Sequence, residues 1–286
     1  MATAASQAHV LTVLNLKGGV GKTHTSWVLA SVAEERQQRI LLIDLDTQGN
    51  LSKSFLESVA LPESVAMLFD PSAEPDVLQL VQRTAFSHID ILPATAGLAP
   101  FDLSDQREWE KTDGHLALVD PIRALRSHYD LIVFDCPPRL SLVSYAALCA
   151  ADFVIVPLEA ADWGAQGILQ VTEAIDYVRS RNNGRLSLLG YLISRFKRSR
   201  SYQRTYAAGM REHFGDAMFD TALSDLADFE RSVTDRIPIT LLAPQSQAAQ
   251  VAREFADEVQ RRIAARTQSA ARPRTRARAP VGTAAR

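Results

Sequence analysis

The sequence predicts an α/β fold, with a doubly wound and mostly parallel sheet that carries helices on both faces. Two observations support this prediction. Short apolar runs recur along the 286-residue chain and alternate with segments of helical periodicity. The apolar runs are continuous rather than alternating, which is typical of strands buried on both faces of a sheet. Because ligands of such sheets bind at the carboxyl ends of strands, residues that follow these runs are the first candidates for function.

The predicted strands and helices alternate in chain order. Strands are predicted at 10–16, 40–44, 89–92, 131–135, 153–157 and 186–194, with a weaker one at 237–242. Helices are predicted at 24–36, 75–84, 115–128, 141–150, 165–181, 202–214 and 246–265. The stretch 94–114 is polar, and we predict an irregular connection there.

Composition indicates a globular protein, and we expect it in the cytoplasm. The chain is 47% hydrophobic, which is enough for a buried core, and no apolar run reaches the roughly 18 residues that a membrane span needs. The first nine residues lack the charged and apolar regions of a signal peptide. Cys136 and Cys149 lack CxxC spacing, so we predict buried thiols rather than a disulfide or a zinc site.

Charge is unevenly distributed along the chain. Residues 266–286 contain six arginines and no acidic residue, so 1–265 hold 33 acidic against 25 basic residues, a net charge of −8. A basic segment on an acidic body suggests a polyanionic partner. That segment is rich in Ala, Arg, Pro and Thr and cannot bury enough surface to fold alone. We predict a disordered N-terminus over 1–9, one domain over 10–265 and a disordered basic tail over 266–286.

A glycine-rich loop joins the first predicted strand to the first predicted helix. It reads Lys17-Gly-Gly-Val-Gly-Lys-Thr23, and such loops turn backbone N–H groups toward phosphate at a helix N-terminus. Lys22 can reach the β- and γ-phosphates, and the Thr23 hydroxyl can ligate Mg²⁺. The usual pattern has a glycine at the position of Leu16, whereas here a second lysine, Lys17, stands at the mouth of the loop.

Aspartates follow two other predicted strands. Asp44 and Asp46 lie at the end of the strand at 40–44 and project in the same direction, because residues two apart share a face of a strand. A carboxylate at a buried strand end is costly unless it meets a metal, a water or a base. Asp135 ends the strand at 131–135 and is followed by two prolines, and this pattern fits a residue that holds Mg²⁺ through water.

These three motifs together resemble those of the ParA/MinD family of ATPases, whose deviant P-loop carries the second lysine. The resemblance continues through 152–157 and 243–246 and spans residues 10–263. It implies ATP and Mg²⁺ as cofactors. The nucleotide-binding residues that it implies are Lys17, Gly18, Gly19, Val20, Gly21, Lys22, Thr23, His24 and Pro244.

The resemblance also implies individual roles. Asp46 corresponds to the family aspartate that orients the attacking water, and Asp44 to one that lies near the magnesium and a switch region. Lys17 would reach the phosphates bound by a partner protomer. The implied catalytic residues are Lys17, Lys22 and Asp46, and the implied metal ligands are Thr23, Asp44 and Asp135.

The chain departs from the family around the nucleotide. His24 stands where the family often has a second threonine, so a hydroxyl for the α-phosphate is absent. The family's Ile-Pro-Arg and Arg-x-Ala-Glu-Ala correspond here to 223–225 and 228–232, which read Leu-Ser-Asp and Asp-Phe-Glu-Arg-Ser. The base-contacting Pro-Arg pair and a basic residue used for DNA are therefore missing.

A basic segment follows the strand at 186–194. Residues 195–204 contain five cations and no acid, and they lead into a predicted helix. Ser, Tyr, Arg and Lys near a helix N-terminus suit phosphate contacts, and the rest of the body is acidic. We therefore predict DNA contact without base reading, because no helix-turn-helix precedes residue 10. The predicted DNA-binding residues are Arg195, Lys197, Arg198, Arg200 and Arg204.

The resemblance favours a DNA-partition ATPase. ATP would bridge two protomers into a homodimer, the dimer would bind nonspecific DNA of the nucleoid, and a ParB-like partner would trigger hydrolysis. A MinD-like membrane switch is the first alternative, but its members end in an amphipathic helix with bulky apolar residues, unlike this tail. A nonhydrolysing DNA-binding regulator is the second, and the retained Lys17 and Asp46 argue against it. We therefore expect no membrane partner.

Overall fold

The computed structural model describes residues 7–58, 64–102, 111, 113–161 and 165–271. Seven strands within them form one sheet, in the order β3-β4-β2-β5-β1-β6-β7. Neighbouring strands are parallel except β3 and β4, which are antiparallel. The predicted doubly wound, mostly parallel sheet is thereby confirmed. The strands are β1 (His9–Val13), β2 (Ile40–Asp44), β3 (Gln82–Arg83), β4 (Ile89–Leu92), β5 (Leu131–Asp135), β6 (Phe153–Glu159) and β7 (Ser187–Ser194).

Helices connect the strands. In chain order they are α1 (Lys22–Glu35), α2 (Asn50–Phe55), α3 (Val77–Leu80), α4 (Ala99–Asp102), α5 (Val119–Leu125), α6 (Leu142–Ala150), α7 (Ala165–Arg181), α8 (Ser201–Phe214), α9 (Ala227–Asp235), α10 (Ile239–Leu242) and α11 (Gln247–Ala271). Short 3-10 turns occur at Val65–Phe69, Ala96–Leu98, Gly114–Leu116 and Gly215–Ala217. No helix in the part of the chain that the structure describes is long and apolar enough to cross a bilayer.

The sheet separates two apolar cores, because successive residues of a strand point to opposite faces. In β2, Leu41 and Ile43 lie in one core and Ile40 and Leu42 lie in the other. Helices α5, α6 and α7 cover the first core, and α1 and α11 cover the second. The continuous apolar runs of the sequence therefore reflect strands that are covered on both faces. The two cysteines are free and buried, as predicted.

Three adjacent strands bring the predicted motifs to one edge of the sheet. β5 lies between β1 and β2, and in this register Asp135 pairs with Val13 on one side and with Asp44 on the other. Parallel strands end at the same edge, so the glycine loop after β1 meets both aspartate motifs there.

Two predicted elements are wrong in type. The segment 75–84, predicted as one helix, contains α3 and then β3, because the chain becomes extended at Val81 and pairs with β4 as the edge strand of the sheet. The weak strand at 237–242 is helix α10. Its apolar run suggested a strand, but Pro238 precedes the first helical residue, where its fixed φ is compatible with a helix start. The Thr240 hydroxyl donates to the Ser31 carbonyl at 2.6 Å and ties this helix to α1.

Other boundaries shift. The helix predicted at 115–128 is a 3-10 turn followed by α5, and α2 and α9 were not predicted. β1 begins at His9, and α11 continues past its predicted end at 265 to Ala271, into the predicted disordered tail. The remainder of that tail, 272–286, lies outside the described residues.

Candidate nucleotide-binding site

The glycine loop follows the carboxyl end of β1. Asn15 fixes its start, because the side-chain amide donates to the Pro157 carbonyl at 2.7 Å and the side-chain oxygen accepts from the Lys17 N–H at 2.9 Å. Gly19 and Gly21 have φ angles of 75° and 87°, in the left-handed region that favours glycine. Helix α1 begins directly after the loop, so its first N–H groups are available to an anion.

The end of β7 packs against this loop. The Ser194 hydroxyl donates to the Val20 carbonyl, although 174 positions separate the two residues. A Cβ atom at Gly21 would lie 3.1 Å from the Ser194 hydroxyl oxygen. Gly21 is therefore required for this close approach as well as for its backbone angle, and the packing brings the residues after β7 to the phosphate loop.

The two lysines of the loop occupy different environments. Lys22 is 7% exposed, and its ammonium donates to the Lys17 carbonyl at 3.2 Å. Burial lowers the pKa of Lys22, and the Asp135 carboxylate is the main group that opposes this shift. The Lys17 side chain is 51% exposed, and its ammonium lies 3.6 Å from a carboxylate oxygen of Glu159. Lys22 is thus held inside the site, whereas Lys17 stands at the entrance in a weak, exposed ion pair.

Asp135 is a buried carboxylate whose two oxygens have no hydrogen-bond partner among the described residues. Burial raises the pKa of Asp135 well above its ordinary value, and the adjacent Asp44 adds to the rise, while the Lys22 ammonium opposes it. Buried oxygens without donors are costly and suit a hydrated cation. Thr23 and Asp135 therefore fit the predicted magnesium site.

Asp44 orders the turn that carries Asp46. One of its oxygens accepts from the N–H and the hydroxyl of Ser52 at 2.8 and 2.7 Å, and the other accepts from the Asp46 N–H at 3.1 Å. Burial raises the pKa of Asp44 to about 6. Both Asp44 oxygens therefore help to fix this turn, and the role of Asp44 at the magnesium remains a prediction.

The loop and the Asp46 turn line one cleft of about 530 Å³, and the buried Asp44 and Asp135 lie outside its lining. Among the predicted nucleotide-binding and catalytic residues, those that line it are Gly18, Gly19, Gly21, Lys22, Thr23, His24 and Asp46. Lys17, Val20 and Pro244 are not in the lining. Val20 is buried beneath the loop, and the Pro244 carbonyl accepts from the Arg253 guanidinium at 2.9 Å. Residues of the predicted loop thus form the inner surface of the cleft, while Pro244 lies outside it, and nucleotide binding by these residues remains a prediction.

The other end of the cleft comes from a segment that the sequence did not assign to the site. Its lining residues are Ser224, Asp225, Leu226, Phe229, Glu230 and Val233. Backbone hydrogen bonds fix this segment to the chain after β7, from the Phe196 N–H to the Leu223 carbonyl at 3.1 Å and from the Asp225 N–H to the Phe196 carbonyl at 3.0 Å. Its apolar side chains suit the flat face of a nucleobase. The available sequence signal was the segment's correspondence to the family's base-contacting residues.

Contacts between α1 and α9 hold this end of the cleft in place. The His24 ring packs edge-on against Phe229, with the ring centroids 4.7 Å apart. The Trp27 indole N–H donates to the Ser232 hydroxyl at 2.9 Å, and that hydroxyl donates to the Ile237 carbonyl at 2.6 Å. Burial lowers the pKa of His24 to about 4, so the imidazole is neutral at pH 7.

The first part of the predicted DNA-binding segment faces the cleft. Arg195 lines it, and the Arg195 guanidinium donates to the Gly19 carbonyl at 3.1 Å. The Lys197 ammonium lies 3.1 Å from a carboxylate oxygen of Asp225, which lines the other end of the cleft. Arg195 thus lies at the cleft, Lys197 pairs with a residue of its lining, and DNA contact by both remains a prediction.

The second part of the segment is exposed. Arg198, Arg200 and Arg204 project at the N-terminus of α8, beside the exposed aromatic rings of Tyr202 and Tyr206. The Arg200 guanidinium donates to the Tyr202 hydroxyl at 2.9 Å, and the Arg204 guanidinium donates to the Arg198 carbonyl at 2.6 Å. None of these three arginines has an ion-pair partner among the described residues.

Comparison with known proteins identifies the family. The profile of a family described as an AAA domain matches residues 8–188. The chromosome partitioning protein ParA of Caulobacter vibrioides is 31% identical over 222 residues, which cover 77% of this chain and 81% of that protein. The chain belongs to the ParA family of ATPases. The sporulation initiation inhibitor protein Soj of Bacillus subtilis is 27% identical to this ParA-family chain over 251 residues. The aligned residues make up 87% of this chain and 97% of Soj.

A solved structure gives the same architecture with ligands. It is described as cobyrinic acid a,c-diamide synthase from Mycobacterium smegmatis with bound ATP analog and magnesium. Its TM-score is 0.75 and its identity 28%, over 90% of this chain and 96% of that one. The predicted membership of the ParA family is confirmed, and the predicted cofactors, ATP and Mg²⁺, match the ligands of that structure.

Proposed function

We propose that this ParA-family protein is an ATP-dependent DNA-partition ATPase. ATP bridges two protomers into a dimer, the dimer binds DNA of the nucleoid without sequence preference, and a ParB-like partner stimulates hydrolysis. The observation that carries the proposal is the convergence of Lys22, Asp46 and Asp135 at the carboxyl edge of three adjacent strands, beside the basic segment 195–204.

Hydrolysis rests on positioning and charge. The buried Lys22 ammonium neutralises charge on the phosphates, and the loop N–H groups hold them in place. Asp46, on a turn that Asp44 and Ser52 fix, orients the attacking water. Thr23 and Asp135 would hold the magnesium ion, which supplies charge neutralisation at the phosphates when bound.

Dimerisation uses the other lysine. The Lys17 side chain is half exposed and its contact with Glu159 is long, so little free energy opposes its movement toward phosphates bound by a second protomer. Lys17→Ala should therefore bind ATP but fail to dimerise. Light scattering with a slowly hydrolysed ATP analogue measures this, and a variant that dimerises normally would remove Lys17 from the interface.

DNA binding uses the exposed part of the basic segment. Arg198, Arg200 and Arg204 offer guanidinium groups to phosphates, and the rings of Tyr202 and Tyr206 add polar edges at the same helix N-terminus. A dimer doubles this weak surface into one bivalent surface, which makes DNA binding dependent on ATP. Affinity should fall steeply with salt, because each neutralised phosphate releases counterions.

The test is sedimentation with plasmid DNA and, separately, with anionic liposomes, each with and without ATP. We expect ATP-dependent sedimentation with DNA, which Arg200→Glu abolishes. Arg185→Glu is the matched control, because Arg185 is exposed near the amino end of β7, at the opposite edge of the sheet. ATP-dependent sedimentation with liposomes instead of DNA would favour a membrane switch and contradict the proposal.

The role of Asp46 in hydrolysis is tested with a separate variant. Asp46→Ala should bind ATP normally and remain dimeric on DNA, because water orientation is lost and the phosphate contacts remain. Asp70→Ala, which removes an exposed carboxylate outside the cleft, should turn over ATP like the unchanged protein. Normal turnover by Asp46→Ala would exclude Asp46 from this role.

A further inference from the structure

Arg195 has an unusual backbone conformation at the edge of the nucleotide cleft. Its φ is 52°, in the left-handed region that few residues other than glycine adopt. The surrounding chain enforces it. On one side, the hydroxyl of the buried Ser194 donates a hydrogen bond to the Val20 carbonyl. On the other side, the Phe196 N–H donates to the Leu223 carbonyl at 3.1 Å. The fold therefore holds Arg195 in a strained conformation at this site.

The Arg195 side chain runs along the phosphate loop. Its Cγ lies 3.9 Å from where a Cβ atom of Gly21 would stand, and a terminal nitrogen lies 3.8 Å from the corresponding point at Gly19. The guanidinium donates to the Gly19 carbonyl at 3.1 Å and has no carboxylate partner among the described residues. It lines the cleft together with Lys22 and Thr23. The strained backbone thus places an unneutralised cation along the loop that is built for phosphate.

We propose that Arg195 is a nucleotide-binding residue whose guanidinium contacts the phosphates of the bound nucleotide, and that it is not part of the DNA surface. This inference rests on the proposed nucleotide-binding function. A guanidinium presents paired donors that match phosphate oxygens, and the loop that it follows wraps the α- and β-phosphates. Arg195 therefore contributes to the binding of both ADP and ATP, which share these phosphates.

The experiment compares Arg195→Ala with Arg200→Ala, a neighbour in the same segment that does not line the cleft. Titration with fluorescent ATP and ADP should show about a tenfold loss of affinity for both nucleotides in Arg195→Ala and no loss in Arg200→Ala. Arg195→Lys should have an intermediate nucleotide affinity, because lysine keeps the positive charge but lacks the paired donors of the guanidinium. At saturating ATP, Arg195→Ala should bind plasmid DNA normally, while Arg200→Ala should remain impaired.

Two results would overturn the inference in distinguishable ways. If Arg195→Ala keeps its affinity for nucleotide but binds DNA poorly at saturating ATP, Arg195 belongs to the DNA surface and the proposed function stands. If the unchanged protein binds neither ATP nor ADP, the proposed function fails and the inference fails with it. Arg195→Gly repeats the comparison with a residue that adopts the left-handed backbone without strain, so a folding defect of the alanine variant cannot imitate the result.

Discussion

The two halves of the nucleotide cleft are built in different ways. The phosphate half is one continuous loop, from Gly18 to Thr23, with Asp46 at the end of a nearby strand. The base half comes from residues 224–233, and contacts across most of the chain hold it. The hydrogen bond from Trp27 to Ser232, for example, joins positions 205 residues apart.

The phosphate half depends mainly on local backbone geometry, whereas the base half depends on how helices pack together. Glycines with positive φ and a helix that starts directly after them make a phosphate site from consecutive residues, and the hydrogen bonds from Asn15 to Pro157 and from Ser194 to Val20 only fix the position of that loop. The base half exists only when α1 and α9 are packed together. Substitutions in the phosphate half should therefore change nucleotide binding with little effect on folding, whereas those in the base half should change both.

The largest effect is expected in the phosphate half. Lys22→Ala removes the ammonium that lies inside the loop and should weaken ATP binding by at least about 100-fold, since a buried charged contact to phosphate contributes on the order of 3 kcal/mol. Thermal unfolding without nucleotide should change little. Lys53→Ala is the control, because Lys53 is exposed on α2 and donates to the Gln48 carbonyl outside the cleft. Equal ATP affinity in Lys22→Ala and Lys53→Ala would exclude Lys22 from the phosphate site.

The sequence indicated candidate residues in the phosphate half but not in the base half, for one reason. Lys17 to Thr23, Asp46 and Asp135 belong to short motifs next to strands, and the strands could be recognised from apolar runs. The residues 224–233 carry no such motif. Their place depends on the backbone hydrogen bonds that join Phe196 to Leu223 and Asp225, and these pairings are not encoded in any local pattern.

The errors in the fold have the same origin. The central strands were predicted correctly because burial on both faces makes them uniformly apolar. The edge strand β3 was missed because its two residues, Gln82 and Arg83, pair on one side only and need no apolar side chains. The predicted DNA contact of Arg195 rested on its charge alone, because composition does not record that its side chain lines the cleft.

A substitution in the base half should affect stability and nucleotide choice together. Phe229 is buried, packs on His24 and lines the cleft, so Phe229→Ala should lower the free energy of unfolding by about 3 kcal/mol. It should also reduce the preference for ATP over other nucleoside triphosphates, because the phosphate half still binds any of them. Urea unfolding and competition with GTP measure the two effects.

The control for Phe229 lies in the same core. Phe255 is fully buried there and does not line the cleft. Phe255→Ala should lose as much stability as Phe229→Ala and keep the preference for ATP. A Phe229→Ala protein with unchanged nucleotide preference would show that the base half does not read the base.

A smaller change in stability is expected at Asp135, where a substitution should stabilise the protein instead of destabilising it as Phe229→Ala does. Its folded pKa lies above the unfolded value, so the folded state binds the proton more tightly and the stability of the apo protein falls as pH rises past about 4. Asp135→Asn removes the buried charge and should stabilise the nucleotide-free protein at pH 7 by about 1–2 kcal/mol while abolishing magnesium-dependent turnover. Urea unfolding measures the increase in the free energy of unfolding. Asp152→Asn should instead destabilise, because Asp152 pairs with Arg126 at 2.7 Å, and a loss of stability in both variants would contradict this account.

The smallest effect is expected at His24, where the two halves meet. Its pKa in the folded protein, about 4, lies below the unfolded value near 6.5, so the unfolded state binds the proton more tightly. The stability contributed by the neutral ring is fully present above pH 6.5 and is lost as pH falls toward 4. The ring is half-buried, so the loss at pH 5 should stay below about 1 kcal/mol. His24→Thr should unfold in urea with a shallower dependence on pH between 7 and 5 than the unchanged protein. The same pH dependence in both proteins would mean that the ring becomes protonated without disturbing its packing against Phe229.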